Sequence, residues 1–209
     1  MGGLIDSSLR SSKALIKLLF PGSRANKIPE DNLPIKTLCL GLSRIDDFMS
    51  SIPGVGKEIS HAAFFLGTDV KFQNKGIILD YGDYKYLKDE KLAFEYNEEG
   101  GLRYGYIEYN NFQKEFGKAA MIKLDLSKSP PVRFNALIDE LKEKGSWKQK
   151  DYSNRNHNCQ HFAVEVIKIL KPKFNPIGIS PGDNAELIEG KDVEEIIPGT
   201  ILEQLKKNT

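Results

Sequence analysis

The chain has 209 residues, 40% hydrophobic and 28% charged, an ordinary globular balance that suits one domain with a buried core. Thirty basic side chains against 29 acidic ones leave a formal net charge of +1, which gives no electrostatic case for nucleic acid as a partner. Two cysteines cannot build a disulfide framework, and the longest apolar run, Ala62 to Leu66, is too short to cross a membrane.

Residues 7–19 have the pattern of an amphipathic helix, with Leu9, Leu15, Ile16 and Leu19 on one stripe and Arg10, Lys13 and Lys17 elsewhere. The same cations break up the apolar region that a signal peptide needs, and Asp6 stands where a myristoylation pattern wants Ser or Thr. The helix is expected to pack on the domain. Its alternative role is peripheral contact with a membrane surface or a partner. Pro21-Gly22 stops it, and residues 1–33 form an N-terminal helix and linker.

Strands are expected at 35–42, 58–67, 75–82, 102–109 and 119–126, from alternating or apolar runs bounded by polar turns and by Gly100-Gly101. The charged stretch between the third and fourth is an exposed excursion. Pro130-Pro131 opens a helix in which Phe134, Leu137, Ile138 and Leu141 recur, up to Gly145. A last helix carries Phe162, Val166 and Leu170 in one row, with Ala163 and Ile167 beside it, and Pro172 ends it. Residues 34–172 make up the domain. Residues 173–209, with three prolines and a short helical tail, form a C-terminal extension. The pattern is α+β, a middle of antiparallel strands with helices toward the ends.

The last helix begins in RNHNCQHFAVEVIKIL, residues 155–170, which holds Cys159 and two of the three histidines. Unpaired N–H groups and a partial positive charge at a helix N-terminus stabilise a thiolate there. Asn158 and Gln160 are the candidates for the cap and for an oxyanion site, with Asn156 as a second cap. A nucleophilic thiol needs a base. His161 lies roughly 200° around the helix from Cys159 and points away, and His157 is held in the entering loop. His61, which shares a strand face with Ala63 and Phe65, is left as the partner; a histidine on such a small-residue face can lie against a helix N-terminus packed on the sheet. Asp80, at the end of GIILDYG, is the candidate to orient it, ahead of Glu58 and Asp83. Cys159 and His61 also fit plain core packing, and Asp80 a strand-end turn. Cys39, inside an alternating strand, is a core residue. One cysteine with flanking histidines lacks the spacing of a closed zinc site, so no metal or cofactor is expected.

Asn158-Cys159-Gln160-His161-Phe162 resembles the Asn-Cys-x-x-Phe box of the circularly permuted papain-like (NlpC-type) thiol enzymes. The lecithin retinol acyltransferase-like branch carries Asn-Cys-Glu-His-Phe and a histidine strand leading into Gly, as His61 to Gly67 does here. The PPPDE branch, which includes deSUMOylating isopeptidases, carries His-Asn-Cys-x-x-Phe followed by Glu-Val, matched by His157 to Phe162 and by Glu165-Val166. The resemblance covers roughly residues 35–171. It implies a papain-like permuted fold, a small antiparallel sheet with the Cys helix packed on it, with Cys159 as nucleophile and His61 as base. Where the acyltransferase branch often has a second histidine, this chain has Asp80. The expected function is a cysteine-dependent hydrolase of a peptide, isopeptide or thioester bond, with a protein substrate. A phospholipid acyl hydrolase or acyltransferase with an acyl-lipid substrate is the first alternative, and a non-catalytic binding module the second. Reduced thiols fit a cytoplasmic protein, peripheral at membranes under the lipid alternative.

Overall fold

The computed structural model describes residues 34–44, 60–68, 75–82, 101–153, 155–179, 187–188 and 191–208. The helix expected at 7–19, the charged excursion after the third strand, Glu58 and Asp83 lie outside the described residues.

Seven described strands form one antiparallel sheet: β1 Thr37–Arg44, β2 Ser60–Gly67, β3 Lys75–Tyr81, β4 Leu102–Glu108, β5 Ala120–Asp125, β6 Lys173–Ile179 and β7 Leu187–Ile188, in the spatial order β4-β3-β2-β1-β5-β6-β7. The described helices are α1 Tyr109–Phe116, α2 Phe134–Lys144, α3 Cys159–Leu170, α4 Lys191–Ile196 and α5 Gly199–Lys207. The architecture is α+β. Among the described residues no helix is long and apolar enough to cross a membrane.

Alternation along the central strands sorts their side chains onto two buried faces. One face carries Leu38, Leu40 and Leu42 of β1, Ala62, Phe64 and Leu66 of β2, and Leu79 of β3. Helices α2, α3 and α5 cover it with Phe134, Leu137, Phe162, Val166, Ile201 and Leu205. Burying each such side chain contributes about 1.5–3 kcal/mol. The opposite face carries Cys39, Ala63, Phe65, Ile78 and Met121, covered by Phe112 and Phe116 of α1. Both faces are covered, so these strands are apolar runs rather than half-polar ones.

Helix α1 takes in Tyr109, expected as the end of the fourth strand, and the residues after it, for which the sequence reading made no assignment. Its three anchors, Tyr109, Phe112 and Phe116, recur at i, i+3 and i+7 in an otherwise polar segment. It sits close on the sheet because Gly41 lies beneath it: a Cβ there would come within 2.9 Å of the Phe112 ring and 2.8 Å of the Phe116 carbonyl oxygen. Gly76 does the same for Phe65, whose ring a Cβ would meet at 2.2 Å.

The described residues of the C-terminal segment, expected as an extension, join the sheet and its core. Strand β6 pairs with β5, and Val193, Ile197, Ile201 and Leu205 are buried in the main core. Pro176 lies opposite the irregular register between Lys123 and Asp125, where a missing N–H is tolerated.

Candidate active site

The loop entering α3 is fixed by aromatic packing. Trp147 is buried, donates Nε1–H to the Leu141 carbonyl at 3.0 Å and stacks on the His157 ring at 4.5 Å. Tyr81 donates its hydroxyl proton to the Lys148 carbonyl at 2.9 Å. The same hydroxyl lies 3.0 Å from His157 Nδ1, so with its proton spent on Lys148 it accepts Nδ1–H. Reciprocal backbone bonds between Ser153 and His157 close the turn. His157 is thus a structural strut rather than a partner of the thiol.

Asn158 caps α3. Its Oδ1 accepts the backbone N–H of Gln160 at 3.0 Å and of His161 at 3.2 Å, and lies 2.8 Å from His161 Nδ1. The His161 ring is turned to the cap, away from the thiol. The Gln160 N–H, a candidate oxyanion donor, is instead committed to Asn158; Gln160 itself is half-buried.

Cys159 is the first residue of α3 and only 4% exposed. Its thiol hydrogen-bonds with His61 and accepts the backbone N–H of Ala62. Helix α3 packs on the face of Ala62, Phe64 and Leu66, whereas His61 belongs to the face under α1, its ring 6.0 Å from Phe116. The two groups meet at the start of β2, where the helix N-terminus reaches the end of the strand.

Behind His61 stands a buried ion pair. Asp80 lies beside it, Oδ2 at 3.2 Å from His61 Nε2, because β3 pairs Asp80 with Ala63 on the same face. Strand β4 pairs Arg103 with Asp80, and the guanidinium donates Nε–H to Oδ1 at 3.0 Å and Nη2–H to Oδ2 at 3.1 Å. Asp80 and Arg103 are the two buried charged side chains among the described residues. Sequence reading missed Arg103.

The electrostatics follow from this geometry. Burial resists ionisation of Asp80, but Arg103 and the His61 hydrogen bond outweigh it and hold the carboxyl down at about 2. Burial also disfavours the His61 cation, yet the bonds to Asp80 and to Cys159 hold it up at about 10. Burial pushes the Cys159 thiol up, and the His61 bond and charge with the Ala62 N–H turn the net shift downward. Each group is shifted toward the pair of a thiolate and an imidazolium. Nε2 serves Asp80, which leaves Nδ1 for the sulfur. Cys39, fully buried under α1, is pushed up to about 12 by burial.

Among the described residues no group of three His, Cys, Asp or Glu side chains is arranged to hold a metal ion. Comparison with known families, with curated proteins and with solved structures finds no match for this chain.

Proposed function

We propose that the protein is a cysteine-dependent hydrolase of circularly permuted papain-like type, cleaving a peptide, isopeptide or thioester bond through an acyl-thioenzyme. The observation that carries this reading is the thiol of Cys159 at the first position of α3, hydrogen-bonded to His61, with Asp80 behind the imidazole. A buried cysteine that served only packing would have its thiol pushed up, as Cys39 does.

The Cys159 thiolate attacks the substrate carbonyl carbon, and the carbonyl oxygen takes the displaced electron pair. Collapse breaks the bond to the leaving nitrogen or sulfur, which takes the Nδ1 proton of His61. The neutral imidazole then removes a proton from water, the hydroxide adds to the thioester carbonyl, and collapse expels the Cys159 thiolate beside a renewed imidazolium. Asp80 accepts the Nε2–H throughout, fixing tautomer and ring orientation.

A pH profile tests this. Iodoacetamide alkylation of Cys159 is expected to rise with a midpoint below the ordinary thiol value and to remain fast at neutral pH. Hydrolysis of an activated thioester should follow the same rise and then fall as pH passes about 10, where His61 loses the proton it must donate. Alkylation that rises only around the free-thiol value of about 8.5 contradicts the proposal.

A further inference from the structure

We propose that Arg103 is a positioning residue for this site, fixing the His61 imidazole through the Asp80 carboxylate. The inference rests on the hydrolase reading and names a residue that the dyad alone does not include.

Three observations carry it. The Arg103 fork engages both oxygens of Asp80, which leaves the carboxylate no rotation about its last bond without breaking a charge-assisted hydrogen bond. Oδ2 is shared: it accepts from Arg103 Nη2 at 3.1 Å and faces His61 Nε2 at 3.2 Å, so the guanidinium and the imidazole are held by one atom. Arg103 and His61 also share a wall, since the guanidinium carbon lies 4.9 Å from the centre of the Phe116 ring and the imidazole packs on the same ring. A buried carboxylate without a counter-charge would take up a proton or turn toward another donor. With Arg103 in place it stays an acceptor aimed at Nε2–H, and Nδ1 stays aimed at the sulfur. A lysine carries the charge but not the fork.

The test uses Arg103→Gln and Arg103→Lys in the full chain, with thermal melts to establish folding. Two readouts are taken: the pH profile of Cys159 alkylation by iodoacetamide and the low-field proton resonance of His61 Nε2–H. Arg103→Gln is expected to slow neutral-pH alkylation by about tenfold to a hundredfold and to move or abolish the Nε2–H resonance. Arg103→Lys should restore part of the rate but not the wild-type resonance. In an Asp80→Asn background, Arg103→Gln should add little, because Arg103 acts only through Asp80. A folded Arg103→Gln protein with the wild-type profile and resonance overturns the proposal while leaving the hydrolase reading standing. A wild-type Cys159 that is inert at neutral pH overturns the hydrolase reading instead, and the Nε2–H resonance still decides the role of Arg103. In the unmutated chain, titrating His61 should shift the Arg103 Nε–H signal; an indifferent signal overturns the proposal without any variant.

Discussion

His61→Ala is expected to return Cys159 to the behaviour of an ordinary buried thiol. The hydrogen bond and the positive charge of His61 are the leading influences that lower its pKa against burial. Without them, desolvation dominates and the thiol titrates at or above the free-cysteine value of about 8.5, which leaves a few per cent thiolate at pH 7. Alkylation at pH 7 should therefore slow by roughly an order of magnitude or more, since the thiolate is the reactive form. Cys39 supplies the internal control. It is fully buried and pushed up to about 12, so it should stay unmodified in the folded wild type and in the variant alike. Peptide mapping after timed iodoacetamide exposure reads both sites in one sample. Equal rates at the two cysteines would remove the basis for calling Cys159 a nucleophile.

Asp80→Ala should be the most destabilising single change in the site. It leaves the Arg103 guanidinium buried, 4% exposed, without its carboxylate. Breaking a buried pair from one side costs about 3–5 kcal/mol, mostly the penalty of the stranded charge. Denaturant unfolding measures this directly. Asp80→Ala/Arg103→Met, which removes both charges, should recover a substantial part of the loss; if the double variant is as unstable as the sum of the singles, the stranded-charge explanation is wrong. The pair also sets the acid response. Folding depresses the Asp80 carboxyl from an ordinary 3.8 to about 2, so its contribution is present above the ordinary value and is lost as pH falls toward about 2. The wild type should lose stability through that window, and a folded Asp80→Asn protein should lack this component.

Much of the architecture was legible in the sequence, because β1, β2, β3, β5, α2 and α3 announce themselves by strong apolar periodicity. The thiol on a helix start, the histidine 98 residues earlier and the acid in GIILDYG were also legible, since each is a polar group set in apolar surroundings. What was lost depended on pairing and on weak patterns. Arg103 lies between Leu102 and Tyr104, a lone base in a strand, and its link to Asp80 exists only once β4 is registered on β3. A lone acid in one strand and a lone base in the next was the available cue. Helix α1 shows three anchors among polar residues, and Tyr109 was read as the end of a strand. The face that α3 covers was not legible, because alternation assigns residues to faces but does not say which helix covers which face. Strand β6 was hidden by Pro176, whose tolerance depends on the irregular pairing opposite it.

The most direct measurement is covalent trapping on the intact chain, read by intact mass and peptide mapping, with a ubiquitin-like C-terminal electrophile and an acyl-lipid electrophile in competition. The account predicts a single adduct from the ubiquitin-like probe on Cys159, absent in Cys159→Ala, slowed in His61→Ala, and never on Cys39. An adduct formed only by the acyl-lipid probe would reassign the substrate to lipid acyl groups. A Cys159 left unmodified by both probes would contradict the acyl-thioenzyme itself.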